Sequence, residues 1–366
     1  MRKSFIAIFA SCTLLFVSGV AFAAQGTVHK DMSISEVIKL GEQQSSDKKK
    51  FEYKKNIAEI DLDIDDNDKL KYIIAYYDKA LSDKIDDYDK EYTIHKEENI
   101  EKRRREYEFT AECYKIYELT SNLDLIELKK KYAEKELEIE KKKYDNGKIT
   151  KVEVDSLELE LRSIKLSVAE AENNLEKAKK DVMFKINANG SLDEFSLKKD
   201  VLIDKKYTEH MDYNENEIYE CFLNMNYEYG KEKLQLDHLS EIVRVVKEHY
   251  GDTSDEFKHF NNTFKIAEIN EKNDCNQYQT FINSLLFDYD QKYEEYQIYE
   301  DYYDMIQDKE KILEASYNNG QISEIDYLDQ KITLEEEKNK CKTSTYSLVL
   351  CIMEIELAKN GILLEK

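Results

Sequence analysis

Tyr144-Asp145-Asn146-Gly147-Lys148-Ile149-Thr150-Lys151-Val152-Glu153 returns 173 residues later as Tyr317-Asn318-Asn319-Gly320-Gln321-Ile322-Ser323-Glu324-Ile325-Asp326. Tyr, Asn, Gly, Ile, a hydroxyl residue, a β-branched residue and an acid coincide in register. A repeat of that period governs the whole architecture. Each part of the motif has a mechanical meaning. Asn-Gly after a long charged segment ends a helix, because glycine takes the left-handed conformation at no steric cost. Thr150 and Ser323 then open the next helix as caps, with Glu153 and Asp326 three residues on in the capping-box position. The motif predicts a tight helix-to-helix turn, used twice.

The helix after the first turn carries Val154, Leu157, Leu161, Ile164, Val168, Ala171, Leu175, Ala178 and Val182 at an unbroken 3-4 spacing, the seam of a coiled coil. The matching residues of the second copy are Tyr327, Gln330, Leu334, Glu337, Cys341, Ser344, Leu348, Cys351 and Ile355. That seam is diluted by polar residues, so the two helices are expected to have different neighbours. Upstream of each turn runs a proline-free segment rich in Lys, Glu and Tyr. From Tyr77 to Tyr144 little stops a helix, which would measure about 100 Å if continuous; Thr120-Ser121-Asn122 is the place for a break or kink. Tyr250-Gly251-Asp252-Thr253 reads as a turn between helices over 214–249 and 254–317, and a shift of 173 residues places the first unit's return at Tyr77-Asp78. The expected fold is all-α: two repeated long antiparallel helical hairpin units with coiled-coil packing. They cover residues 24–187 and 214–366 and are joined by a linker over 188–213 that contains Asn189-Gly190-Ser191.

The chain begins Met1-Arg2-Lys3, continues through an apolar stretch from Phe5 to Val20, and reaches Ala21-Phe22-Ala23-Ala24. This is the pattern of a secretory signal peptide, residues 1–23, cut after Ala23; a retained anchor is the competing reading, for which the apolar core is short. Cleavage removes two basic residues and no acidic one, taking the net charge from −23 to −25. Such a chain lacks the positive footprint that nucleic acid requires, and is poorly suited to anionic lipid. Five cysteines lie beyond the cut (Cys113, Cys221, Cys275, Cys341, Cys351), an odd number with no C-x-x-C pair, which argues against a disulfide framework. Cys341 and Cys351 would stand about 15 Å apart on one helix, so they are expected to pack as small hydrophobes.

The pattern Y-x-x-G-x-x-[ST]-x-x-[DE] opening a coiled-coil helix, present twice after a signal peptide, resembles the TolC family of outer membrane efflux proteins. Ser33-Ile34-Ser35-Glu36-Val37-Ile38-Lys39-Leu40 is similar to the family's opening helix, and Ala169-Glu170-Ala171-Glu172-Asn173-Asn174-Leu175 to its stretch after the first turn. The resemblance implies an exported homotrimer in the periplasm or outer membrane, its protomers building a hollow helical cylinder. Its partners would be a periplasmic adaptor and an inner-membrane transporter, and it needs no cofactor. It further implies that Asp326 and Asp329 ring the tunnel entrance, that Tyr317 and Glu153 hold neighbouring turns together, and that Asn146, Gly147, Asn319 and Gly320 form tips that face the adaptor. A basic residue common between the glycine and the hydroxyl residue is here Ile322. The membrane strands of the family are not evident around Asp61 to Tyr77 or Val246 to Phe260, where the sequence is charged and helical or turn-forming.

Other chemistry is weakly supported. Asp326 has a second reading as a helix cap favoured by the helix dipole, with Asp329 solvated surface. Asp61-Leu62-Asp63-Ile64-Asp65 begins like a calcium loop, yet Asp66 stands where glycine is required and Tyr72 where glutamate should bind. The histidines show no metal-ligand spacing and read as isolated surface residues; the 27 tyrosines read as helix packing. No nucleophile elbow, phosphate-cradling loop or Rossmann fingerprint is present, so an enzyme is the least favoured class. A different class remains open beside the transport component: a structural coiled coil of the cell envelope that kept the helices and lost the pore.

Overall fold

A computed structural model describes residues 26–27, 32–44, 73–190, 192, 195–198, 209–253 and 255–364. The signal segment 1–23 and the calcium-like stretch beginning at Asp61 lie outside them, as does most of the first region searched for strands. Eight α-helices follow in order among the described residues: α1 (Ile34–Gln44), α2 (Ile73–Tyr92), α3 (Glu98–Asp145), α4 (Lys151–Lys185), α5 (Glu215–Met225), α6 (Tyr227–Tyr250), α7 (Asp255–Asn318) and α8 (Glu324–Lys359). A five-residue π-helical segment, Thr93–Glu97, joins α2 to α3 without a break. The chain departs from pure helix at a two-residue parallel pairing of β1 (Gly26–Thr27) with β2 (Ala188–Asn189), extended by main-chain bonds between Met32 and Ser196 and between Lys198 and Met32. These tie the start of the described chain to the linker between units.

Both hairpins form as the turn motifs dictate. Gly147 and Gly320 have φ of 67° and 68°. At the first turn Gly147 N–H bonds the Tyr144 carbonyl at 2.8 Å and Lys148 N–H that of Lys143 at 2.9 Å; the second repeats this with Tyr317 and Ser316, both at 2.9 Å. This is a Schellman closure that satisfies the last carbonyls of the incoming helix. The hairpins α3–α4 and α7–α8 then lie side by side through α3 and α8, giving the lateral order α4, α3, α8, α7. Lys135–Glu324 and Lys129–Glu336 ion pairs, both 2.7 Å, bring the two turns to the same end.

Away from the turns, each hairpin closes on its own core. Val37 of α1, Phe109, Cys113 and Ile116 of α3, Val182 of α4 and Phe195 of the linker form one cluster. Ile218 and Phe222 of α5, Ile282 and Tyr289 of α7 and Leu348, Ile352 and Ile355 of α8 form the other. Tyr114 and Tyr346 stack at 4.3 Å across the α3–α8 junction.

Four expectations need correction. Thr120-Ser121-Asn122 does not break α3, which runs on through them with the Thr120 hydroxyl turned back onto the Ile116 carbonyl at 2.7 Å instead of competing for a free main-chain group. The irregularity sits instead at Thr93–Glu97. Tyr77-Asp78 lie inside α2 and form no turn. The helix expected over 214–249 is broken at Asn226, whose extended backbone and side chain, bonded to Tyr229 N–H at 2.8 Å, start α6 afresh. Gly361 (φ 80°) packs so closely on Met225 and Asn226 that a Cβ there would collide with their main chain, which fixes this break against the end of α8. Finally, His238 is buried, 3.4 Å from Asp78, and is not a surface histidine.

Candidate functional site

The turn ends and the two outer helices carry the features that bear on function. Thr150 caps α4 in a full capping box: its N–H and hydroxyl donate to the Glu153 carboxylate at 2.7 and 2.8 Å, while Glu153 N–H donates to the Thr150 oxygen at 3.4 Å. These donors hold the Glu153 carboxyl below the usual range. At the second turn Ser323 accepts from Asp326 N–H at 3.2 Å and donates its hydroxyl to the Asp326 carboxylate at 2.5 Å. Tyr317 stacks on Tyr327 of its own hairpin at 4.4 Å and 17°. At the first turn the residue matching Tyr327 is Val154, and the matching Tyr144 is exposed. Within one chain, then, Glu153 and Tyr317 serve their own turns. Asn146, Gly147, Asn319 and Gly320 are all exposed at the tips.

Asp326 and Asp329 are exposed on α8, and they do not stand alone. Glu136 of α3 has its carboxyl pushed up by partial burial and by the nearby charges of Glu160, Glu140 and Asp329, against which Lys143 works. Tyr132 beside it is pushed up by burial and by Glu136, Asp329, Glu160 and Asp326. Carboxylates of α3, α4 and α8 thus share one field near the turns. Sequence reading reached Asp326 and Asp329 but missed Glu136 and Glu160, because in a chain so rich in acids only the folded geometry singles out a pair.

The outer faces of α4 and α7 were also missed. Val152, Leu159, Leu166 and Phe184 on α4, and Phe287, Ile298, Met305 and Ile312 on α7, are between 56% and 86% exposed. Steps of seven residues put Val152, Leu159 and Leu166 on one stripe and Ile298, Met305 and Ile312 on another, with Phe184 and Phe287 returning to the same faces at 100° per residue. On α4 this stripe lies opposite the seam that packs on α3. The signal was in the sequence as a second heptad series, masked by the stronger first one. Among the described residues no group of metal-ligating side chains comes together, and no helix is long and apolar enough to cross a membrane.

No protein-family model matches the chain, and no curated protein matches it. Solved structures do. Crystal structures of CusC, which record conformational changes accompanying folding and transmembrane channel formation, match at a TM-score of 0.57 and 10% identity, over 90% of this chain and 95% of that one. A membrane protein from Pseudomonas aeruginosa matches at 0.54 and 8% identity, over 92% of each chain. The Campylobacter jejuni CmeC outer membrane channel matches at 0.51 and 13% identity, over 90% and 85%. The chain is therefore a two-unit helical-hairpin protein with the fold of the TolC-type outer membrane efflux channels.

Proposed function

We propose that this chain is an exported efflux-conduit component whose copies close into a hollow homotrimeric cylinder in the cell envelope. The observation that carries the reading is the pair of exposed apolar stripes on the two outer helices of the protomer. In the lateral order α4, α3, α8, α7 the outer helices are the ones left with a free side. An apolar stripe on α4 and a second on α7 can meet only between copies, and such a head-to-tail contact makes a ring when its rotation closes. Burying one large apolar side chain contributes roughly 1.5–3 kcal/mol, so a stripe of four on each side is enough to drive association of an acidic chain.

In that cylinder Asp326 and Asp329, joined by Glu136 and Glu160, would line the mouth at the turn end and favour cations there. The exposed tips at Asn146, Gly147, Asn319 and Gly320 would meet a periplasmic adaptor that links the conduit to an inner-membrane transporter. Glu153 and Tyr317 would touch a neighbouring turn only after leaving their present partners.

One observation favours the second reading, an envelope coiled coil without a pore. Where the second unit should carry membrane strands, Val246 to Tyr250 end α6, Gly251-Asp252-Thr253 turn with φ 83° at the glycine, and α7 begins at Asp255. The experiment is light scattering of the mature chain. Wild type is expected at three times the chain mass, and Leu159→Glu or Met305→Glu at the mass of one chain with unchanged helix content. A wild-type monomer rules out the cylinder; a trimer that never gives channel steps in planar bilayers removes an independent pore and leaves a conduit that needs a separate membrane part.

A further inference from the structure

Three long helices end on the same dipeptide: α3 at Asn146-Gly147, α7 at Asn319-Gly320 and α8 at Asn360-Gly361. Asn-Gly is the pair most open to deamidation, because glycine has no side chain to shield its main-chain nitrogen from the carboxamide before it. A fourth pair, Asn189-Gly190, belongs to the linker, where Asn189 is held in the β1–β2 pairing rather than at a helix end.

The three helix-ending pairs are alike in the attacking group and differ in the group attacked. Each glycine has a positive φ, of 67°, 68° and 80°. Each also donates its N–H to a carbonyl three residues back: Gly147 to Tyr144 at 2.8 Å, Gly320 to Tyr317 at 2.9 Å and Gly361 to Ala358 at 2.9 Å. The carboxamides part company. Asn146 Nδ2 donates to the Lys142 carbonyl and Asn360 Nδ2 to the Glu356 carbonyl, both at 2.7 Å, so each amide is tied to the preceding helical turn. At the second tip the corresponding carbonyl, that of Ala315, accepts from the Asn319 main-chain N–H at 3.0 Å. The exposed Asn319 side chain makes no hydrogen bond among the described residues. Its amide can turn towards Gly320 without first breaking a bond; those of Asn146 and Asn360 cannot.

We propose that Asn319 is a site of spontaneous modification, deamidating faster in the folded chain than Asn146 or Asn360. The Gly320 main-chain nitrogen loses its proton and attacks Asn319 Cγ; the carboxamide nitrogen takes up a proton and leaves as ammonia, closing a succinimide ring. Water then opens the ring at either carbonyl and gives aspartate or isoaspartate. Either product adds one negative charge at the second tip, on the turn that leads to Ser323 and Asp326. Isoaspartate also lengthens the main chain by one carbon where Gly320 N–H closes the turn. That the altered tip faces an adaptor rests on the proposed function; the reaction itself is a property of one chain.

The test is to incubate the mature chain in warm, mildly alkaline buffer, with and without urea, and to follow the amide-to-acid mass change at each site. Trypsin releases the three pairs on separate peptides, 144–148, 312–331 and 360–366, and fragmentation of the second separates Asn319 from Asn318. In the folded chain Asn319 is expected to convert at least about threefold faster than Asn146 and Asn360, a factor within the net worth of one hydrogen bond. In urea, where the helical carbonyls no longer hold the amides, the three rates are expected to draw within about twofold of one another. Equal rates in the folded chain, or faster conversion at Asn146 or Asn360, overturn the proposal. So does an Asn319 lead that persists undiminished in urea, since flanking sequence and not the free amide would then set the order.

Discussion

α4 and α8 follow the same turn and begin with the same kind of cap, yet they are built for different places. α4 buries a single seam, from Val154 through Leu161, Val168, Ala171 and Leu175 to Val182, and leaves Val152, Leu159 and Leu166 bare on the opposite side. α8 is enclosed around much of its girth: Leu334, Cys341, Leu348, Cys351 and Ile355 are buried on the seam, and Tyr346, Val349, Ile352 and Leu357 away from it. It packs on both α7 and α3, whereas α4 packs on α3. The apparently weaker seam of the second copy therefore belongs to the more buried helix. A clean heptad marks a helix with one partner, and a diluted one can mark a helix whose apolar residues are divided between two.

Truncations separate the two helices most widely. Ile355→Ala, at a fully buried position, is expected to destabilise the chain by about 2–5 kcal/mol in urea unfolding, while Leu159→Ala in the isolated protomer stays within about 0.5 kcal/mol. Equal effects would mean that α4 is as enclosed as α8. The caps come next. Thr150→Ala is expected to cost about 0.5–2 kcal/mol, and Ser323→Ala less, since only the first turn has a glutamate long enough to return to the cap N–H.

A finer distinction comes from pH. The Glu153 carboxyl is held below its unfolded value, so its contribution is complete above the ordinary carboxylate range and disappears as pH falls through the lowered folded value. Glu153→Gln should flatten that part of the acid-unfolding curve; an unchanged curve would show that the box is not formed in solution. The smallest effect is chemical. Burial pushes the Cys113 thiol up to about 12, so it should resist thiol reagents at neutral pH while half-buried Cys221 reacts first. Mass spectrometry of the labelled protein decides the order.

Much of the fold was legible because it is written in local terms. Asn-Gly, the hydroxyl caps and the 3-4 spacing each act within a few residues, and they placed both tight turns and the helix ends that meet there. What was not legible depends on tertiary neighbours. Asn226 caps a new helix where the end of α8 seats Gly361 against it, a contact no local pattern announces. The π-helical segment at Thr93–Glu97 has no proline or glycine to announce it. Tyr317 stacks on Tyr327, a pairing its periodicity permits but does not demand. At the turn end, Asp326 and Asp329 came from a resemblance, while Glu136 and Glu160 became distinguishable only when three helices had been brought together.

The tight turns also bear on how quickly the chain reaches this state. Within a hairpin, the first contacts close a loop of a few residues and then zip outward, one turn at a time, with little entropy lost at each step. The junction of α3 with α8 is different: Ser121 and Asn339, which meet there at 3.3 Å, are 218 residues apart in the chain. Hairpins should therefore assemble early as independent rods, and their docking along α3 and α8 should set the overall rate. A chain with either turn loosened, for example by Gly147→Val or Gly320→Val, would then lose speed at its fastest step before it lost its final shape.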